Sequence, residues 1–303
     1  MRIFARLVQL AIELNIFFGL NNAIPALSPP PVTSSLPPPL TSRQQQVCNG
    51  NAAFCSRQYS NVSLIGTHDS AFVGNIIDPR VNQDRAVTDQ LNAGIRFLQA
   101  QTHMKRSVLE MCHTSCAELD AGSLRTYLST VKTWLDANPN EAVTMLLVNG
   151  DNVAASVFDA VCSATGLRDY AFVPSTSPAQ LPIGDWPTYG EMIAAGTRLV
   201  MFLDAQANET AVPYILDEFT YFFETPYDTT DPDFNECTLD RPAGGSPNGR
   251  MYIVNHFLDQ SIFGILIPDD GADYTTNAAS GTGSIGAQAE LCKSTYGRAP
   301  NFV

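Results

Sequence analysis

The stretch that decides the fold is Ser63-Leu64-Ile65-Gly66-Thr67-His68-Asp69-Ser70. A short apolar run ends abruptly in a histidine, a carboxylate and a hydroxyl. In a sheet whose strands are covered by helices on both faces, polar groups collect where the strands end. His68 and Asp69 therefore stand at a strand's C-terminal end, where parallel-sheet proteins build their sites. Working outward, strands are expected at 63–67, 97–102, 108–113, 143–149, 198–204, 220–224, 251–257 and 301–303. Helices are expected at 86–93, 123–137, 152–165, 189–195 and 284–296. In the second of these, Leu124, Tyr127, Leu128, Val131 and Leu135 fall on one stripe behind Ser123, a residue suited to capping. About eight apolar strands, most separated by helix, predict an α/β chain in a (β/α)8 TIM barrel.

The chain has 303 residues, 45% of them hydrophobic and 16% charged, which provides for a sizeable core. Seventeen basic against thirty acidic residues leave a net charge of -13. With no basic patch, a nucleic-acid backbone is excluded as partner. The same charge opposes electrostatic adsorption to anionic membranes, although a lipid headgroup could still enter a pocket. Residues 1–27 read as a secretory signal peptide: Arg2 and Arg6 precede an apolar run, and Ala23 and Ala26 follow it. Residues 28–45 read as a Pro/Ser-rich linker of extended polyproline-like chain. The TIM-barrel domain takes the remainder, 46–303. Seven cysteines without zinc spacing, behind a leader, point to disulfides. Cys48–Cys55 is the favoured local pair, and one cysteine must be left over. The sequons at Asn61 and Asn208 suit a secreted glycoprotein. The long segments 170–186 and 227–249 read as functional loops or packed lids.

Three of the four histidines, His68, His113 and His256, close expected strands, joined there by Asp69, Asp204, Asn149 and Asn255. His103 falls between two strands and reads as a solvated loop residue. Two histidines facing one pocket suit general base and general acid, because imidazole titrates near operating pH. Phosphodiester cleavage uses that pairing. No G-x-S-x-G elbow supports a serine hydrolase, and no glycine-rich phosphate loop supports a nucleotide site. A glycosidase would need a carboxylate pair, for which Asp69 and Asp204 are the candidates.

The segment 63–70 resembles the first-strand signature of the phosphatidylinositol-specific phospholipase C X-domain group. Residues 90–97, Met111-Cys112-His113-Thr114-Ser115-Cys116 and 136–141 extend the likeness. The loop Cys48–Cys55 and the stretch 222–231 resemble those of secreted fungal PLC-like phosphodiesterases. The resemblance implies a barrel and a two-histidine mechanism acting on an inositol phospholipid or related phosphodiester. His68 would be the general base, His113 the general acid on the leaving oxygen, and Asp69 the support for that proton transfer. Gln99, Gln101, Asn149, Asp204, Asn255 and His256 would line the substrate. The chain is expected to be a secreted monomer without stable membrane insertion, needing no cofactor. The departures are specific. One branch of the family carries an Asp and an Arg where this chain has Gln99 and Gln101. The calcium-dependent branch carries acidic ligands where this chain has Gln99, Gln101 and Asn149, so any calcium site here would be weak. A catalytically weak or inactive barrel that binds phosphate-containing ligands is the alternative. Finally, the likeness implies an incomplete eighth strand at Asn301–Val303, an unpaired sheet edge and an unsupported His68.

Overall fold

The computed structural model describes residues 46–74 and 78–303. The expected leader and linker lie outside the described residues. Eleven strands occur among the described residues: β1 Gly66–Thr67, β2 Phe97–Lys105, β3 Val108–His113, β4 Leu119–Ser123, β5 Val143–Asn149, β6 Leu199–Leu203, β7 Ile215–Asp217, β8 Phe222–Glu224, β9 Met251–Ile253, β10 Asp259–Ile262 and β11 Ile265–Pro268. The helices are α1 Val87–Asn92, α2 Leu124–Ala137, α3 Ala155–Thr165, α4 Tyr189–Ala195, α5 Glu218–Tyr221, α6 Asp273–Thr276 and α7 Ile285–Tyr296.

Parallel pairing runs β1–β2–β5–β6–β7, and separately β8–β9. The two arcs are joined by Phe302, which bridges Leu64 on one side and Ile253 on the other, both in parallel. Backbone bonds from Leu64 to Asn301, Gly66 to Val303 and Val254 to Phe302 complete the seam. Eight parallel segments thus follow one another in chain order, with no ladder between β7 and β8 among the described residues. The last of them is short, yet it is paired on both sides, so the unpaired edge expected at 301–303 is absent. The aromatic ring of Phe302 lies in the interior, stacked on Phe97 with centroids 4.4 Å apart.

Strand alternation sorts the side chains. Leu64, Phe97, Leu146, Val200, Phe202, Phe222, Met251 and Ile253 pack together inside the barrel. Leu98, Met145, Leu147, Leu199, Met201 and Leu203 pack outward beneath the helices. The expected stripe of α2 is buried there, joined by Trp134, and the hydroxyl of Ser123 accepts the Thr126 N–H at the helix start.

Three expectations are corrected. The segment 108–113 is not a barrel strand: β3 pairs antiparallel with both β2 and β4. A two-residue turn at Arg106-Ser107, both with positive φ, folds it back over β2. The strand expected at 220–224 starts only at Phe222, because Asp217 accepts the Thr220 N–H and caps a helical turn first. His103 belongs to β2 rather than a loop, and its ring packs on Gly150, with Nδ1 3.1 Å from Asp151 Oδ1.

Both long loops are packed. Trp186 from the first stacks on Tyr59 inside the barrel, 4.6 Å between centroids. The second is tied to α7 by Cys237–Cys292. The Cys48–Cys55 pair expected from the sequence is present, Cys112–Cys116 is the third disulfide, and Cys162 is the free, buried cysteine.

Candidate active site

Period two also decides which polar residues face the barrel mouth. On β2, Gln99 and Gln101 follow the interior Phe97. Past β6, Asp204 follows the interior Phe202, and past β9, Asn255 follows the interior Ile253. Asn149 instead follows the outward Met145 and Leu147. Its amide donates to the carbonyls of Val153 and Ala205 and accepts the Val153 N–H, so it braces a turn. His256 also faces outward, against α7. Its Nδ1 is 2.6 Å from Gln288 Oε1 and its Nε2 2.9 Å from the Thr276 carbonyl. The sequence expectation that Asn149 and His256 line the substrate is therefore corrected. A one-residue step along a strand moves a side chain to the opposite face.

The centre of the mouth is Asp69, which is fully buried and held at φ 48°. Its Oδ2 lies 3.2 Å from His68 Nε2 and 3.0 Å from His113 Nε2. One carboxylate oxygen therefore gathers both imidazoles. The glutamines hold it in place. Gln99 Oε1 accepts the Asp69 N–H at 2.7 Å. Gln101 Nε2 faces Asp69 Oδ2 at 3.4 Å while its Oε1 accepts the Thr114 N–H at 3.1 Å. Thr114 lies within the Cys112–Cys116 disulfide loop, which fixes the backbone directly after His113. The other oxygen, Asp69 Oδ1, is buried with no partner. Phe257 stacks on the His68 ring at 3.8 Å, and Phe72 meets the His113 ring edge-on at 5.3 Å.

Burial alone would raise the Asp69 pKa, but the charges and hydrogen bonds of the two histidines outweigh it and hold it at about 2. Burial likewise pulls the His68 pKa down, and is outweighed by Asp69, with Asp259 and Glu224 adding to it, so the net shift is upward. Asp259, at the foot of β10, is itself raised, by burial and then by Asp228.

Opposite the histidines, Glu224 is buried, pairs with Arg241 and receives the Asn255 side-chain N–H at 3.3 Å. Burial and then the charge of Glu224 push the neighbouring Glu218 carboxyl well above its ordinary range. Arg241 packs its guanidinium over Tyr227, 4.5 Å from the ring centre. Asp204 is raised by burial while its Oδ1 accepts the Asn149 N–H. Glu224, Asp259, Phe257 and Arg241 escaped the sequence reading. Glu224 had a signal, since it closes an expected strand. Arg241 had none, because a proline- and glycine-rich loop brings it in.

The amide oxygens that a calcium ion would use are spent: Gln99 and Gln101 accept backbone N–H groups, and Asn149 faces outward. Among the described residues no cluster of three His, Cys, Asp or Glu side chains is disposed to hold a metal. The residues do not fit that ion, and no step is routed through it.

A (β/α)8 barrel with two histidines at its mouth defines a class, the phospholipase C-like barrels. The PI-PLC X 1 family description matches residues 54–303, and the chain belongs to that PI-PLC X family. It is 52% identical over 266 residues to the PI-PLC X domain-containing protein 1 of Arthroderma benhamiae, covering 87% of this chain and 86% of that one. An uncharacterized secreted protein of the same organism is 43% identical, over 89% of this chain and 61% of its own length. Among solved structures, the F249X mutant of the phosphatidylinositol-specific phospholipase C from Staphylococcus aureus matches with a TM-score of 0.56 at 13% identity, covering 82% of this chain and 87% of that one. That last likeness is one of fold.

Proposed function

We propose that this chain is a secreted phosphodiesterase that cuts the headgroup phosphodiester of a phospholipid by paired-histidine proton transfer. The carrying observation is the single Asp69 oxygen between His68 Nε2 and His113 Nε2. In this reading His68 takes the proton from a hydroxyl attacking phosphorus and His113 returns one to the leaving oxygen. Asp69 orients both rings and steadies whichever is charged. The mouth is otherwise rich in carboxylates, with Asp204, Glu224 and Asp259 against Arg241, so an imidazolium supplies the positive charge a phosphodiester anion needs. Secretion is supported by the three disulfides, and by the secreted protein among the relatives. Among the described residues no helix is long and apolar enough to cross a membrane.

A second reading is favoured by one observation. Gln99 and Gln101, standing where one branch of the family carries an Asp and an Arg, are consumed in bracing Asp69 and Thr114. A barrel that binds a phosphorylated headgroup without cutting it would look the same. A panel of inositol phospholipids and glycerophosphodiesters, with and without calcium, separates the two. Turnover abolished by His68→Ala and by His113→Ala supports the enzyme. Saturable binding of headgroup analogues with no product on any substrate supports the binding barrel.

A further inference from the structure

The sequon Asn208-Glu209-Thr210 has no part in the site described above. It follows β6 in a turn where Asn208 and Thr210 are both open to solvent. Asn208 starts that turn in a specific way. Its carbonyl accepts the Ala211 and Val212 N–H groups, and its side-chain Oδ1 accepts the Ala211 N–H at 3.2 Å. The Oδ1 bond fixes the direction of the amide. It also leaves Nδ2, the atom that takes a sugar, uncommitted among the described residues. An amide substituted at nitrogen keeps its oxygen as acceptor, so the turn survives the modification.

Beside the turn lies a cavity of about 180 Å³. Asn208 forms part of its wall, together with Ala154, Ala155, Ser156, Ala207 and Ala211. Its two lips are held by one side chain. The Asn149 amide donates to the Val153 carbonyl on one lip and to the Ala205 carbonyl on the other. The cavity is therefore braced rather than free to collapse. Four methyl groups and a hydroxyl suit a ligand with an apolar face and one hydrogen-bonding group. An N-acetylhexosamine has both, in the carbon face of its ring and in its acetamido group.

We propose that Asn208 carries an N-linked glycan, and that its first N-acetylglucosamine seats in this cavity. The sugar then ties the turn after β6 to the first residues of α3. Nδ2 attacks the anomeric carbon of an oligosaccharide carried on a polyprenyl diphosphate. The C–N bond forms as the sugar–phosphate C–O bond breaks, the lipid diphosphate leaves, and Nδ2 gives up one proton. The site rests on the secretion proposed above and not on the catalytic step.

The test uses the full chain in a eukaryotic secretory host, with Asn61→Gln so that 208 is the remaining sequon. Peptide mass spectrometry should find the 208 peptide heavier by an oligosaccharide that begins with N-acetylhexosamine. Bare Asn208 in protein recovered from the medium overturns the site while secretion stands. A chain that never leaves the cytosol overturns secretion, and the site with it. Melting reads the seat. An endoglycosidase that leaves one N-acetylglucosamine on Nδ2 should keep the parent's midpoint. Thr210→Ala, which retains Asn208 but removes the acceptor motif, should melt about 2–4 °C lower. Ala211→Leu fills the cavity, and in that background the one-sugar and sugar-free forms should melt together. A sugar-dependent shift that persists in Ala211→Leu overturns the seat. So does a one-sugar form that melts like Thr210→Ala.

Discussion

At Asp69, one side chain answers for two others. Burial opposes its charge, and both imidazoles restore it. The coupling has a pH signature with two limits. The Asp69 contribution is present above the unfolded carboxylate value and is lost as pH falls through about 2. The His68 contribution is present below the unfolded imidazole value and is lost as pH rises through its raised folded value. Both describe one interaction, counted once at roughly 2 kcal/mol. Asp69→Asn should therefore destabilise most between about pH 4 and 6.5 and little at alkaline pH, as denaturant melts across pH would read. In catalysis His68 must be neutral to act as base. The acid limb of kcat/KM should lie above about 6.5 in the parent and move down in Asp69→Asn. A limb that stays put would remove His68 from the base role. The sequence disclosed Asp69 and both histidines because they end apolar runs. It could not disclose that Asn149 and His256 point away, since that depends on a register only the neighbouring strands fix.

Among the elements, the disulfides divide by task. Cys112–Cys116 closes a tight loop directly after His113, whereas Cys237–Cys292 spans 55 positions and pins a long loop to α7. Chain entropy makes the longer bridge worth about 4 kcal/mol and the shorter about 2. Replacing Cys237 and Cys292 by Ser should lower stability more, and replacing Cys112 and Cys116 should lower kcat more. Paired melts and kinetics test this, and the reverse order would contradict the division. The α2 helix was legible in full, because capping and a single apolar stripe are local properties. The β2–β3 hairpin was not. Its strand is as apolar as the barrel strands, and only the positive φ values at Arg106-Ser107 send it back. Nor was Arg241, which enters on a loop with no periodicity.

For the molecule as a whole, the junction of the two parallel arcs rests on very little chain. Phe302 is 2% exposed, stacks on Phe97, and meets Tyr59 and Phe222 inside the barrel. Phe302→Ala should cost about 3–5 kcal/mol by denaturant unfolding, and a cost under about 1 kcal/mol would show that the seam is not central. The chain-order parallel arrangement was readable from alternating strand and helix, but the expected eight strands included 108–113, which lies outside the barrel, and omitted β7. The pairing of 301–303 on both edges was not, because three residues carry no periodicity.

The seam also sets a timetable. Ser63 donates its hydroxyl to the Pro300 carbonyl across 237 positions, so the edge beside Leu64 is satisfied only by chain made much later. At ribosomal speeds of about 5–20 residues per second, that interval is roughly 12 to 50 seconds. Through it, the strand leading to His68 has an open side and an unfilled aromatic socket. A nascent chain in that state is what a holding chaperone recognises, and the finished barrel is not.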